Sequence, residues 1–101
     1  MLIVSNTGPL LHLSEAQELP LLSKTGKVCI PSSVSVEIQY LIADWQPPQW
    51  IQEITIQEPA WSQADSWVQA GILDRGEADA IALAVEIKAD WFLTDDAAAR
   101  W

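Results

Sequence analysis

Residues 76–96 read GEADAIALAVEIKADWFLTDD. The first part is an alanine-rich helix opened by Gly76, and residues 90–94 are a short apolar run with the character of a buried strand. Two adjacent carboxylates, Asp95 and Asp96, follow that strand directly. The same alternation recurs towards the N-terminus. Residues 2–4, Leu-Ile-Val, form a β-branched apolar run, and Asn6-Thr7-Gly8-Pro9 then opens a short helix, with Thr7 or Gly8 as its cap. Ser14 and Gln17 have capping-box spacing and predict a second short helix through Leu22, stopped by Gly26.

Residues 28–30 are a second buried strand, closed by Pro31. Ser32 or Ser33 caps a helix in which Val34, Ile38, Leu41 and Trp45 recur at helical spacing, and Pro47 and Pro48 terminate it. Residues 50–57, WIQEITIQ, alternate apolar and polar, as a half-exposed edge strand does. Ser62 and Asp65 lead another helix to about Ala70, with Gly71 as a stop. Strands alternating with helices predict one α/β domain over residues 1–101, built on a central parallel sheet. In such sheets, sites form outside the carboxyl ends of the strands.

Composition narrows the function. The 101 residues carry a formal net charge of −9, and most of the acids fall after Trp50. Such a surface repels phosphate backbones, so nucleic acid must be reached through bound cations or a partner. Cys29 is the only cysteine, which excludes an intrachain disulfide and a multi-cysteine metal site; within the apolar run VCI it reads as a small buried hydrophobe. The apolar start lacks a basic region, and no membrane-spanning run is visible, so a cytoplasmic location is expected. His12, between Leu11 and Leu13, reads as a packing or surface residue.

The carboxylates hold the chemistry. Glu77 and Asp79 point about 200° apart on a helix and cannot share a face. Asp79 lines up with Arg75 and Glu86 in a polar stripe, whereas Glu77 heads a stripe continued by Ile81 and Ala84. A carboxylate heading an apolar stripe suggests a site, although a first-turn glutamate also answers the helix dipole. Glu37 has Val34, not Ser or Thr, three residues earlier, so it is not a capping-box glutamate. It is either a solvated flank residue or a site residue. One aspartate suffices to cap a helix over residues 95–100, and two together call for a cation. Oxygen ligands of this kind suit Mg²⁺ or Mn²⁺.

The series VSNTGPLL, IPSSVSVEI, LDRGEADAIALAVE and FLTDDAAAR, in this order and spacing, resembles the PIN-domain family, and within it the VapC-like toxins of toxin–antitoxin modules. The resemblance implies a three-layer α/β/α fold and Mg²⁺- or Mn²⁺-dependent endonucleolytic cleavage of RNA. It also implies a cognate antitoxin as a partner. Carried over, the family's first acidic position falls on Asn6 and the second on Glu37. The third falls on Glu77, with Asp79 as the alternative. The fourth falls on Asp96 or Asp95, and the family's Thr-x-Asp pattern favours Asp96. Thr7 or Ser5 would orient water or metal beside them.

Two departures follow. Asn6 puts a neutral amide where the family has a carboxylate, lowering the expected metal affinity. PIN domains also usually continue past the equivalent of Trp101, so an uncovered sheet edge and self-association are expected. A binding or assembly module with an impaired site is the competing reading. A phosphatase or receiver-like pocket is disfavoured, since a receiver needs its acidic pair early in the chain.

Overall fold

A computed structural model describes residues 1–94 and the backbone of residues 98–100. The elements, in chain order, are β1 (Leu2–Ser5), α1 (Thr7–Glu15), α2 (Leu19–Leu22), β2 (Lys27–Pro31), α3 (Ser32–Leu41) and β3 (Ile51–Ile54). They continue with α4 (Ala60–Gln69), α5 (Arg75–Glu86), β4 (Trp91–Leu93) and β5 (Ala98–Arg100). The sheet order is β3-β2-β1-β4-β5. The first four strands are parallel, and β5 runs antiparallel to β4. The predicted α/β fold on a central parallel sheet is the one observed, with WIQEITIQ supplying the edge strand β3.

Neighbouring strand residues point to opposite faces, and two cores result. Ile3, Val28 and Ile30 pack with Leu10, Leu22, Val34 and Ile38, so α1, α2 and α3 cover one face. Val4, Cys29 and Phe92 pack with Ala60, Ala64, Leu83 and the alanines of α5, so α4 and α5 cover the other. Helix α5 is buried on most sides because its residues are small: Ala78, Ala80, Ala82 and Ala84 are all buried. Cys29 is buried as expected, and burial raises its thiol pKa above the ordinary value.

The helix starts differ from the predictions. Asn6, not Thr7 or Gly8, caps α1, its Oδ1 accepting from Thr7 N at 2.8 Å. Pro9 is tolerated anywhere in the first turn and so does not fix where the helix begins. Ser14 belongs to α1 and opens no capping box, while α2 begins after Glu18 with no side-chain cap. Ser32 and Ser33 do not cap α3, which follows Pro31. Their hydroxyls are used in tertiary contacts, Ser32 with Thr55 and Ser33 with Asp79.

Helix α3 stops at Leu41, ahead of the prolines. Ile42 is extended and Asp44 has a positive φ, so Trp45 reaches the core from a turn. Ser62 lies inside α4 and is itself held by Glu58, through both its amide and its hydroxyl. Asp74 caps α5 by accepting from Glu77 N at 2.9 Å, and the helix starts at Arg75.

At the other end of the sheet, residues 98–100 were expected in a helix and instead form β5. Pairing with β4 overrides the helical propensity of alanine and arginine there. Strand β4 is thereby paired by β5 along Trp91–Leu93.

Candidate active site

In this sheet order β1 is followed by β2 on one side and adjoins β4 on the other. The strand order reverses between β1 and β4, where an open α/β sheet leaves a crevice at its carboxyl ends. Asn6 is the first residue beyond β1, and its backbone N–H donates to Leu93 O at the end of β4, 3.0 Å away. The residue is nearly buried. One lone pair of its Oδ1 serves the α1 cap, and an amide oxygen retains a second.

Thr7 extends the site towards α3. Its Oγ1 donates to Glu37 Oε2 at 2.7 Å. On its other side the Glu37 carboxylate lies against the start of α5. A Cβ built at Gly76 would overlap Glu37 Oε1 and stand 2.8 Å from Cδ. Only a residue without a side chain lets α5 approach Glu37 so closely. Glu77 follows in the first turn, half-buried, with its backbone amide held by Asp74. Residues of α1 and α5 thus enclose the carboxylate that α3 contributes.

The other predicted site residues divide. Ser5 is fully buried, and its Oγ donates to Asn6 O at 2.9 Å. Its proton therefore serves the strand end. Asp79 was read as part of a polar stripe but is buried, accepting from Ser33 Oγ at 2.6 Å and from Arg75 Nη1 at 3.3 Å. Arg75 also donates from Nη2 to Asp65 at 2.6 Å, and its guanidinium lies 5.8 Å from the Trp61 ring centroid. The Asp65 hydrogen bond is the main cause that raises the Arg75 pKa, so this group is charged at any working pH. Asp95 and Asp96 lie outside the described residues. His12 is exposed, as expected of a surface residue.

A family model described as a PIN domain matches residues 2–101. The chain belongs to the PIN-domain family. Members are in general nucleases that depend on divalent metal ions and act on RNA. No curated protein and no solved structure matches the chain significantly.

The side chains that the sequence assigns to a site, the Asn6 amide, the Glu37 and Glu77 carboxylates and the Thr7 hydroxyl, offer only oxygen donors. Hard donors of this kind fit Mg²⁺ or Mn²⁺ and not a soft metal. Among the described residues, no three of His, Cys, Asp and Glu come close enough together to hold an ion.

Sequence reasoning passed over three roles: Asp74 as the cap of α5, Arg75 as the link between Asp79 and Asp65, and Gly76 as the neighbour of Glu37. Asp74 was legible as the first residue of an Asp-x-x-Glu signature ending at Glu77. Arg75 was legible through its i, i+4 spacing to Asp79. Nothing local marks Gly76 as a neighbour of Glu37, which is 39 positions away in the chain.

Proposed function

We propose that this PIN domain is a cytoplasmic, Mg²⁺- or Mn²⁺-dependent endoribonuclease of the VapC-like toxin type, neutralised by a cognate antitoxin. The observation that carries the reading is the Glu37 carboxylate, fixed by Thr7 on one side and seated on Gly76 on the other, beside the strand end at Asn6. Asn6, Glu37 and Glu77, with Asp96 or Asp95, would hold the metal. A divalent ion bound there lowers the pKa of water and neutralises charge developing on the phosphate.

The residues of the chain do the rest. Thr7 fixes the rotamer of Glu37, and Asp74 holds the first turn of α5 and with it Glu77. Asn6 contributes an oxygen without a charge, so the site carries one negative charge fewer than a four-carboxylate set. The net charge of −9 makes the cation doubly necessary, since RNA meets little positive potential elsewhere on the chain.

The test is cleavage of a single-stranded RNA with and without Mn²⁺, by wild type and by a Glu77→Gln, Asp96→Asn double variant. Cleavage by wild type only, abolished by chelation, is the expected result. Activity that survives in the double variant would remove these residues from the site. A wild type with neither cleavage nor calorimetric Mn²⁺ binding would favour the binding-module reading, which Asn6 supports.

Self-association belongs to the same proposal. Val36 and Tyr40, one turn apart on α3, share a face and are 50% and 87% exposed. Apolar side chains grouped in this way are typical of an interface. A dimeric mass by light scattering at micromolar concentration is expected, and a monomeric mass would exclude the association.

A further inference from the structure

Asp79 offers the PIN site another carboxylate, two residues beyond Glu77, yet its surroundings differ from those of a ligand. The residue is 6% exposed, and each of its oxygens faces a donor of the protein. Oδ2 takes the Ser33 hydroxyl of α3, and Oδ1 faces the Arg75 guanidinium one turn earlier on α5. Arg75 in turn grips Asp65 of α4 and lies by the ring of Trp61 on the same helix. A cation arriving at Asp79 would meet a fixed positive charge 3.3 Å away and would have to displace a hydroxyl.

The placement of these contacts gives them a purpose. Ser33 and Glu37 are four residues apart on α3 and share a face. Asp79 and Gly76 are three apart on α5 and share a face too. The two helices therefore meet at two levels, about one turn or 5.4 Å apart. Ser33 bonds Asp79 at one level, and Glu37 rests on Gly76 at the other. Fixing the first contact sets the height and rotation of α3 against α5 at the second.

We infer that Asp79 is a positioning residue, not a metal ligand: with Ser33 and Arg75 it locks the α3–α5 seam so that Glu37 is seated on Gly76. This rests on the metal-nuclease reading above for its consequence, but the seat itself exists without metal. Residues that orient a metal ligand commonly alter affinity by about 10–100-fold when removed.

The experiment compares Asp79→Asn, Asp79→Ala, Ser33→Ala and Glu37→Gln by Mn²⁺ calorimetry. The metal-free proteins are compared through the amide and methyl resonances of Thr7, which is bonded to Glu37 and belongs to neither α3 nor α5. Asparagine keeps an oxygen for the Ser33 hydroxyl. Asp79→Asn should therefore bind Mn²⁺ within about threefold of wild type and leave the Thr7 resonances in place.

Asp79→Ala and Ser33→Ala should each weaken Mn²⁺ binding about tenfold or more and shift Thr7. Ser33→Ala cuts the same link with Asp79 still paired to Arg75, so it decides the matter if Asp79→Ala does not fold. Loss of Mn²⁺ binding in Asp79→Asn equal to that in Glu37→Gln would make Asp79 a ligand and overturn the proposal. So would alanine variants that only melt earlier, with Thr7 and Mn²⁺ affinity unchanged. A wild type that binds no Mn²⁺ removes the metal reading alone. The Thr7 resonances then decide: shifted by alanine and restored by asparagine, they uphold the seam, and unmoved, they reject it.

Discussion

Gly76→Ala is expected to abolish metal-dependent cleavage while changing stability by no more than about 1 kcal/mol, a separation of effects that few single methyl groups produce. The new Cβ would occupy the space of the Glu37 carboxylate. The obstructing atoms are the far end of a flexible side chain, so the fold does not have to deform. Glu37 swings away and gives up the Thr7 hydroxyl, a charge-assisted bond worth about 1.5–3 kcal/mol when well buried. Here it is only part-buried, and water replaces much of it. Alanine in place of glycine near a helix start returns up to about 1 kcal/mol. The two terms nearly cancel in stability.

Function has no such compensation, because the carboxylate is no longer where the strand ends converge. A loss of Mn²⁺ affinity of roughly ten- to a hundredfold is expected by calorimetry. Urea denaturation should give a midpoint close to that of wild type. An unchanged Mn²⁺ affinity would show that Glu37 takes no part in binding metal.

The fold was legible because each strand is a short apolar run bounded by strong punctuation: Asn6 after β1, Pro31 closing β2, and the alternation of WIQEITIQ marking an edge. The helix starts were less so, for a physical reason. A serine before a helix is a cap only if nothing better claims its hydroxyl. Ser33 is claimed by Asp79, 46 positions away, and Ser32 by Thr55. The same long-range bond misled the reading of Asp79, since a helical wheel places it on a polar stripe but does not reveal that the stripe faces another helix. Residues 98–100 make the converse point. An alanine-rich segment has helical propensity, but propensity yields where a neighbouring strand offers unpaired backbone. The candidate positions Asn6, Glu37 and Glu77 came from motif order, and local pattern alone would have left Glu37 an ordinary helix-flank glutamate.

Leu83→Ala is expected to cost about 2–5 kcal/mol, in the upper part of that range, and to lower the melting temperature by roughly 10–30 °C. Leu83 is fully buried on α5, in the cluster that includes Val4, Ala64 and Phe92. The cost of such a truncation depends on how far the surroundings can close over the vacated space. Around Leu83 they have little room to do so. Its helix already meets the sheet and α4 through Ala78, Ala80, Ala82 and Ala84, so the backbone cannot draw much closer. A domain of this size has about 5–15 kcal/mol in all, and the loss is a large fraction of it.

The site lies at the far end of the same helix, at Gly76 and Glu77, about two turns from Leu83. If α5 keeps its place at that end, the variant's folded fraction retains its metal affinity. Mn²⁺ at a hundred times its dissociation constant should then stabilise both proteins by about 2.7 kcal/mol. Thermal unfolding with and without Mn²⁺ measures this. Equal metal-induced increments at two different baselines would show that the core sets stability while the Thr7–Glu37–Gly76 seat sets binding. A smaller increment in Leu83→Ala would mean that the two are coupled along α5.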